Sequence, residues 1–596
     1  MEEIKDRDEL AEEFKWNLGS IYRTDDQWEE EFAEIENQLP KFEDFQGRVL
    51  EDGDSLLEVL GSRDEIFRKA DRLFYYARMR SDEDTRNQKY QSMVSRARGL
   101  YAKVESRFSF IKPEIQAASC EEIENLIDRN PALKKYEHYL DDVLRLKPHT
   151  RDAEIESLVA ELGEVLDAPG EIYNYLTNAD LEFPSVEDPE GEEVELTLSN
   201  FVNLLQKKTR SFRKEVYTKF FDRFADVGNT ISTAYSNSVR KDNKLAKIKN
   251  YDSARERALD ENNIPVEVYD NLLNVIEDNL DLLHRHLVLK EEALGCDDLK
   301  MWDIYAPLPS SDSPDIPYDR AKDYVLNAVE PLGDDYRNQL EEGLESRWID
   351  VYETPGKRAG AYSGGSYDTQ PFILMNYKGD ISSLYTLAHE LGHSMHSKLT
   401  SEHQPYVYSD YSIFVAEVAS TLHEALLTEY LLEEISDEDF RLHLLDQFLE
   451  TFRSVLYRQA LFAHFEQEVH EKEEAGAGLT RDSLSELFAD LKGSYYEPVE
   501  IDERIKREWM RIPHFYRAYY VFQYSTGISA SLALARNILD GEDSASDNYL
   551  EALKSGSSDY PLEILRTAGV DMSQPEPIKS ALSLYEKYLG EVEAVI

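Results

Sequence analysis

Cysteine is nearly absent from this chain of 596 residues. Only Cys120 and Cys296 occur, and they form neither a C-x-x-C pair nor any other metal-ligand spacing. Two cysteines cannot organise a chain of this length, so a secreted fold framed by disulfides is excluded. We expect both to be small buried apolar side chains in a protein that works in a reducing compartment.

Basic side chains are also scarce. Lysine and arginine number 66 against 120 aspartates and glutamates, which gives a net charge of −54 spread along the whole chain. A surface of this sign repels the phosphates of nucleic acids and of anionic membranes, so neither is an expected partner. We expect a halophilic surface that strong salt screens, the alternative being an ordinary acidic enzyme.

Long apolar runs are missing as well. No segment reaches the length that a membrane span requires, and residues 1–6 lack the basic and apolar regions of a signal peptide. The hydrophobic fraction of 41% nevertheless suffices for a packed core and excludes a disordered chain. These features predict a soluble protein in the cytoplasm.

The apolar residues that are present recur mostly at helical spacing, which predicts a mainly α fold. Amphipathic helices are expected at 56–79, 87–110 and 151–166. Two short alternating segments around the turn-rich 187–191 predict a β-hairpin, and a Pro- and Ser-rich connection is expected at 305–311. The length predicts two or more domains, and we place a boundary between 1–190 and 191–596.

The sequence His-Glu-Leu-Gly-His at 389–393 is the most informative stretch. Residues four apart share a helix face, so His389 and His393 can bind one metal ion, while Glu390 lies beside the water that hydrolysis consumes. Asp380 or a following serine is a suitable N-cap for this helix. Gly392 costs about 1 kcal/mol in a helix relative to alanine, so we expect another segment to approach closely there. The alternative is a pair of histidines that only pack or face solvent.

A catalytic zinc takes three protein ligands and leaves one position for water. Glu417 is the best third ligand, because it lies among small and apolar residues of a helical segment where a half-buried carboxylate needs a partner. His396 and His403 are rivals close to the motif. Glu424 falls on the face of Glu417 and could accept the free N–H of a ligand histidine, or it could be an ordinary surface carboxylate.

A glycine-rich segment at 357–366 precedes the apolar stretch 371–377, which we expect to form a strand. Glycines let the backbone approach a neighbouring strand or an extended peptide closely. The segment lacks the form of a phosphate-binding loop.

Segments 389–397 and 417–421 together resemble the M3 family of metallopeptidases, and within it the oligoendopeptidase F group. Segments 301–308 and 512–524 and the glycine-rich stretch resemble that group too, so the resemblance extends from the early helices to about residue 585. It implies a mainly α, two-lobed fold with a small sheet near the active site and a deep substrate channel. It also implies an oligoendopeptidase F-like domain at 1–190 and an M3-type catalytic domain at 191–596.

The same resemblance implies a zinc-dependent endopeptidase that hydrolyses internal bonds of short peptides in intracellular peptide turnover. It implies that Glu417 is the third ligand of one zinc ion, and that Ser420 and Glu424 belong to the same signature. His423 departs from the expected small polar or amide residue, which should not affect zinc binding.

A hydrolytic site also needs donors for the oxyanion of the tetrahedral intermediate, and Tyr O–H and His N–H groups are suitable. Tyr516, Tyr520 and Tyr524 recur every four residues, which predicts three phenols on one helix face. By resemblance, His514 and one or two of these tyrosines take this role, and we expect Tyr520 before Tyr516 and Tyr524.

The expected reaction is peptide hydrolysis at zinc held by His389, His393 and Glu417, with Glu390 as the general base. A peptide-binding protein without turnover is one alternative, and the presence of Glu390 argues against it. A structural zinc site is another, but two histidines and one glutamate leave an open coordination position that suits catalysis.

Overall fold

The structure is a computed structural model that describes residues 4–308 and 314–596. The described part is mainly α-helical with only small sheets, as predicted. The end of the expected connection at 305–311 lies outside the described residues. In chain order the α-helices are α1 (Asp25–Gln38), α2 (Gly53–Glu83), α3 (Gln88–Phe108), α4 (Ile111–Ala117), α5 (Cys120–Arg129), α6 (Glu137–Arg145), α7 (Ala153–Glu161), α8 (Gly163–Tyr175), α9 (Phe201–Leu205), α10 (Arg210–Ile248), α11 (Ala254–Asp260), α12 (Val266–Glu277), α13 (Leu280–Leu294), α14 (Tyr318–Ala328), α15 (Asp334–Glu345), α16 (Ile381–His403), α17 (Ile413–Glu434), α18 (Glu438–Thr451), α19 (Arg458–Glu474), α20 (Arg481–Tyr495), α21 (Phe522–Leu539), α22 (Ala545–Leu553), α23 (Pro561–Ala568) and α24 (Glu576–Glu593).

Two of the three helices predicted from periodicity are present as single helices. The segment 56–79 lies inside α2, and 87–110 corresponds to α3. The segment 151–166 falls into two helices, α7 and the start of α8, which meet at Leu162. The capping aspartate Asp52 accepts a hydrogen bond from the Ser55 backbone N–H and so fixes the start of α2.

The strands form two small sheets. The predicted hairpin is β1 (Ser185–Glu187) and β2 (Glu193–Glu195), antiparallel with Val186 opposite Val194. The second sheet holds β3 (Ile349–Asp350), β4 (Tyr362–Gly364) and β5 (Phe372–Leu374) in the order β3-β5-β4. The apolar strand expected at 371–377 is therefore β5, and β4 comes from the glycine-rich segment and lies at an edge of this sheet.

Contacts divide the chain into two compact units. The first unit comprises residues 4–148, 314–433 and 534–569, and the second comprises 149–308, 434–533 and 570–596. Both units are discontinuous in sequence, which differs from the division at residue 190 expected from the sequence. That sequence-based division stays a prediction.

The first unit buries a core that joins its amino-terminal helices to the sheet. Trp28 of α1, Leu73 of α2 and Leu100 of α3 are almost fully buried and belong to the same cluster as Phe372 and Leu374 of β5. Burial of large apolar side chains stabilises each by about 1.5–3 kcal/mol. This core fixes β5, and β5 in turn fixes the position of β4.

The second unit is built around the long helix α10 and an aromatic core. Tyr235 of α10 packs with ring centroids 5.4 Å from Phe515 and 6.0 Å from Trp509. Phe465 of α19 lies 5.4 Å from Phe515. The segment 505–521, which lies between α20 and α21, is therefore held by rings on both sides.

The expectation for the cysteines is wrong. Cys120 is exposed and Cys296 is half-buried, and both are free thiols. Cys120 is the first residue of α5, where Ser119 caps the helix, so its side chain lies beyond the turn that packs Ile123 and Ile127 inward. None of the described helices combines the length and apolar character needed to cross a bilayer.

Candidate metal centre and active site

The helix α16 carries the motif, and its start is fixed as predicted. Asp380 is the N-cap, and its carboxylate accepts a hydrogen bond from the Ser383 backbone N–H at 2.8 Å. Apolar residues at helical spacing bury one side, including Leu384, Leu391 and Met395. The helix then runs without interruption through both histidines.

Gly392 lies where α16 meets α17. A Cβ atom at this position would lie 2.6 Å from the Ala419 carbonyl oxygen and 2.7 Å from the Ser420 Cα. The obstacle is backbone, which cannot swing aside as a flexible side chain can. The close approach expected from this glycine is therefore present, and it brings the residues around Glu417 against the two histidines.

The side chains of His389, His393 and Glu417 converge. Their ligand atoms all lie within 4.8 Å of one another. The Oε2 of Glu417 is 3.6 Å from His389 Nε2 and 3.8 Å from His393 Nε2. Two ligand atoms that share an ion at about 2.1 Å lie no more than about 4.2 Å apart. Both oxygen–nitrogen distances lie within that limit, so the carboxylate oxygen can share one divalent cation with each imidazole.

The surrounding groups orient these three side chains. Glu424 Oε1 accepts a hydrogen bond from His389 Nδ1 at 2.6 Å, and the Ala416 backbone carbonyl accepts one from the His393 ring. The Ser420 hydroxyl donates to Glu417 Oε2 at 3.3 Å. Hydrogen bonds of this kind fix the tautomer and ring orientation of metal-binding histidines. The ordinary-surface alternative for Glu424 is therefore wrong.

The two rival histidines lie elsewhere. His396 is buried and stacks on Tyr411, with ring centroids 3.7 Å apart, and His403 Nδ1 contacts the Leu399 carbonyl oxygen at the end of α16. His423, which departs from the family pattern, packs away from the cluster and accepts a hydrogen bond at Nε2 from the Tyr336 hydroxyl at 2.7 Å. It links α17 to α15.

The two clustered imidazoles differ in charge. Burial opposes protonation of His389, but the hydrogen bond to Glu424 and its charge outweigh burial and raise the pKa of His389 to about 9. Burial and the positive charge of His389 lower the pKa of His393 to about 3. The pair thus carries one positive charge at neutral pH, and a dication would displace the additional proton of His389, so metal binding releases a proton.

Glu390 occupies an environment suited to proton transfer. The residue is 7% exposed, and burial raises the pKa of its carboxyl to about 7. The charge of His389 and a backbone hydrogen bond from Ser363 oppose the rise. Ser363 belongs to β4, and its hydroxyl also contacts the Ser394 hydroxyl at 2.8 Å. The edge strand therefore holds this carboxylate against α16. A carboxyl with a pKa near neutrality can both accept and return a proton.

A cavity of about 990 Å³ in the first unit adjoins the cluster. His393 and Ala416 line one part of it, and residues 363–366 of the glycine-rich edge line another. Aromatic side chains of α2 and α3 complete the wall, namely Phe67, Tyr75 and Tyr101. The strand edge and His393 therefore face the same space.

The predicted helix face of three tyrosines is wrong. Residues 513–516 form a short 3-10 helix, and α21 begins only at Phe522, so Tyr516 and Tyr520 are not on a common helix. Tyr516 is instead a packing residue, stacked on Tyr173 with centroids 4.6 Å apart. The break lies at Tyr519, whose φ of +54° is left-handed.

The chain turn brings His514, Tyr520 and Tyr524 together in the second unit. The ring centroids of Tyr520 and Tyr524 each lie 5.9 Å from that of His514. Tyr524 Oη lies 3.5 Å from His514 Nε2. Burial and the charge of Arg517 lower the pKa of His514, which keeps its ring neutral at neutral pH. A neutral imidazole still carries one N–H donor.

Comparison with known proteins identifies the family of this chain. The family model for Peptidase family M3 matches residues 203–584, and the one for Oligopeptidase F matches residues 114–183. The chain belongs to peptidase family M3. The M3 match and the full-length relatives described next assign it to the oligopeptide-cleaving metallopeptidases of that family, so the resemblance stated from sequence is confirmed. Membership implies a bound metal ion, and the His-His-Glu cluster supplies a fitting ligand set.

Full-length relatives support the M3 assignment. The chain is 42% identical to oligopeptidase PepF of Bacillus subtilis over 595 residues, covering 100% of this chain and 89% of that protein. It is 40% identical to group B oligopeptidase PepB of Streptococcus agalactiae, covering 99% and 98% of the two chains.

Solved structures of M3-like chains agree as well. A crystal structure of oligoendopeptidase-F from Enterococcus faecium has a TM-score of 0.75 and 35% identity, covering 96% of this chain and 99% of that one. A crystal structure from Chlamydophila abortus has a TM-score of 0.92 and 33% identity, with 100% coverage of both chains.

Sequence reasoning missed two contributors to this M3 site. The Ser363 backbone N–H contacts Glu390, and the Ala416 carbonyl contacts His393. Backbone groups carry no residue-type signal, so only the glycines beside Ser363 and the helical setting of Ala416 could have pointed to them.

Proposed function

We propose that this M3 peptidase hydrolyses internal bonds of short peptides at one zinc ion held by His389, His393 and Glu417. The observation that carries the proposal is the convergence of these three ligand atoms beside the buried carboxyl of Glu390. Zinc suits two imidazoles and one carboxylate, a set that leaves a coordination position open. A zinc ion bound there would polarise the scissile carbonyl and make the attacking water more acidic.

Glu390 is the general base in this proposal. It takes the proton of the attacking water and later returns it to the leaving amine. The hydrogen bond from the Ser363 N–H orients its carboxylate. Glu424 keeps His389 in the tautomer that presents Nε2 to the metal, because its carboxylate accepts a hydrogen bond from Nδ1–H.

His514 and Tyr520 are proposed as donors to the oxyanion of the tetrahedral intermediate. The neutral ring of His514 and the phenol of Tyr520 both offer a proton without adding a full charge. Their grouping with Tyr524 supports a shared role and makes Tyr524 the next candidate. The packing of Tyr516 against Tyr173 makes it the weakest of the three.

The edge of β4 is proposed to bind substrate backbone. Ile373 of β5 donates its N–H to Trp348 next to β3, so Ser363, which lies opposite Ile373, directs its own N–H and C=O away from β5. The N–H contacts Glu390, and the carbonyl side of this edge lines the cavity. Pairing of this kind recognises an extended backbone with little dependence on side chains. It therefore suits a peptidase of broad sequence preference.

The cellular setting is proposed from composition. A net charge of −54 supports activity in strong salt, because salt screens the repulsion among carboxylates. The exposed free thiol of Cys120 supports a reducing compartment such as the cytoplasm. Intracellular peptide turnover is the role that fits both features.

Cleavage of a short quenched fluorescent peptide tests the function, with the zinc content of each sample measured and with low and molar salt compared. We expect wild type to cleave an internal bond. Glu390→Gln should keep its zinc and lose about 10²–10⁴-fold in kcat, because the amide cannot accept the proton. Glu402→Gln is the matched control, since Glu402 is an exposed glutamate on the same helix whose contact is Lys398.

The results separate the rival functions. Zinc-loaded wild type that cleaves nothing at any salt concentration would instead indicate a peptide-binding protein. Equal cleavage by wild type and Glu390→Gln would remove Glu390 from the role of base.

A further inference from the structure

We propose that Glu466 is a positioning residue for the oxyanion donors: its buried carboxyl holds Tyr519 in a left-handed turn that sets the position of Tyr520. The inference rests on the proposed function, because it acts through the role assigned to Tyr520. It adds a residue from α19, distant in sequence from both the metal motif and the donor segment.

The backbone at Tyr519 is strained. Its φ of +54° lies in the region that glycine and asparagine adopt and that bulky side chains avoid. Such conformations persist only where the surroundings enforce them, and they cluster at functional sites. Tyr519 directly precedes Tyr520, so its dihedral angles decide where the Tyr520 side chain points.

Glu466 supplies the enforcing contact. Its Oε1 accepts a hydrogen bond from the Tyr519 backbone N–H at 2.8 Å, and the residue is fully buried. In a regular α-helix continued through residues 516–524, that N–H would instead bond to a carbonyl oxygen four residues earlier. The contact therefore selects the turn over the helix that the tyrosine spacing favours.

The ring of Tyr519 is clamped as well. It packs 4.8 Å from the His470 ring and 5.5 Å from the Tyr269 ring, measured between centroids. Tyr269 is itself fixed, because its hydroxyl donates to the Ala463 carbonyl oxygen at 2.7 Å. The strained residue thus has one backbone anchor and two ring contacts, all on elements of the second unit.

The consequence of the turn is the grouping of the donors. With the left-handed residue in place, the Tyr520 ring stacks parallel to that of His514, with an interplanar angle of 13°. The Arg517 guanidinium lies 4.1 Å from the centre of the Tyr520 ring. Loss of the Tyr519 anchor would let the chain relax toward negative φ and carry the Tyr520 hydroxyl away.

Burial raises the pKa of Glu466 to about 8, so the carboxyl is mostly neutral at neutral pH. A glutamine therefore reproduces both its shape and its charge. It keeps a carbonyl oxygen that can accept the Tyr519 N–H. Methionine has similar length and lacks the acceptor.

The test compares Glu466→Met with Glu466→Gln in the zinc-loaded full-length protein. We expect Glu466→Met to lose about 10- to 100-fold in kcat with KM little changed, as a displaced catalytic group does. Affinity for a phosphinic peptide, which mimics the tetrahedral intermediate, should fall by the same factor. Glu466→Gln should retain most of kcat. If Glu466→Met does not fold, Glu466→Asp withdraws the acceptor by one methylene and carries the same expectation.

Two controls separate positioning from general damage. Tyr585→Phe removes a buried hydroxyl that lies 2.8 Å from His286 Nδ1 in the same unit, and it should leave kcat unchanged. A double-mutant cycle with Tyr520→Phe should show that Glu466→Met costs little further once the Tyr520 hydroxyl is gone.

Normal kcat in folded Glu466→Met would overturn the inference. So would a double variant in which the two reductions in kcat multiply independently, or a Tyr520→Phe variant with wild-type activity. In each case wild-type cleavage that depends on Glu390 would leave the proposed zinc peptidase activity standing, and wild-type activity in Tyr520→Phe would remove only the role of Tyr520 as an oxyanion donor.

Discussion

Replacement of Gly392 by alanine tests whether close contact between α16 and α17 builds the metal site. The new Cβ would lie 2.6 Å from the Ala419 carbonyl oxygen, and ordinary contact begins at about 3.4 Å, so the helices must separate by about 0.8 Å. Ala419 and Ser420 follow Glu417 by two and three residues. The same displacement would therefore pull the Glu417 carboxylate away from both imidazoles.

The magnitude follows from two opposing effects. Overpacking a close contact costs about 1–3 kcal/mol, whereas alanine gains about 1 kcal/mol over glycine in a helix interior. Because the obstacle is backbone on a second helix, we expect the upper part of the range and a net loss of about 1–2 kcal/mol. Zinc affinity should fall at least about tenfold, as it does when groups that support metal ligands are disturbed.

Denaturant unfolding and zinc titration against a chelating dye measure the two effects. Gly61→Ala in α2 and Gly99→Ala in α3 are matched controls, since a Cβ at either position meets nothing within 4 Å. Both controls should be at least as stable as wild type. A Gly392→Ala protein that matches these controls in stability and binds zinc like wild type would refute the reasoning.

Three further outcomes are expected. Glu424→Gln should lower zinc affinity about 10- to 100-fold in the same titration, because His389 loses the carboxylate that fixes its ring; unchanged affinity would contradict that role. The kcat/KM of wild type should fall as pH drops through the pKa of Glu390, because only the deprotonated carboxylate accepts a proton. Burial raises this pKa to about 7, and a bound dication would lower it. An acid limb that persists in the residual activity of Glu390→Gln would assign it to another group. Glu508→Gln should destabilise the protein by about 3–5 kcal/mol, since it leaves Lys492 and Arg458 buried without a carboxylate. Burial raises the pKa of Glu508, but these positive charges outweigh burial and lower it. The contribution of Glu508 to the free energy of unfolding is therefore present above its pKa in the unfolded chain and is lost as pH falls through its pKa in the folded protein. Urea unfolding across that pH range should show a weaker dependence in the variant.

The His-His-Glu cluster was predictable because its signals in the sequence are local. The i, i+4 spacing of His389 and His393 defines a helix face, and Asp380 caps the helix that carries it. Gly392 indicated a close approach of another segment, because a glycine in a helix interior lowers helix stability and a favourable contact must offset that loss. Glu417 needed one further step, the expectation that a carboxylate among apolar residues has a partner.

For the segment 512–524, which carries the proposed oxyanion donors, the residue types were predictable from sequence but the conformation was not. Spacing placed Tyr516, Tyr520 and Tyr524 on one helix face, but Glu466, which lies 53 residues before Tyr519, accepts the N–H that a helix would use. A hydrogen bond over that separation leaves no periodic trace in the sequence. Tertiary contacts therefore overrode local preference here.

The exposure of Cys120 escaped sequence analysis for a related reason. Cysteine as a residue type is most often buried, but the exposure of Cys120 depends on where its helix begins. Ser119 caps α5 and leaves its first residue outside the packed turn. A capping box was visible in the sequence at Ser119 and Glu122, and it could have corrected the expectation.

The Ser363 backbone links two tasks that are separate in most descriptions of hydrolysis. Its N–H contacts Glu390, the proposed proton acceptor, and Ser363 also lines the cavity along the same free edge. An extended chain laid along that edge would steady the very residue that aims Glu390, and a chain that kinks there would not. The backbone conformation of a substrate bound there would therefore decide whether the chemical step proceeds. Peptides with many different side chains would be cleaved, whereas folded or turned segments would not.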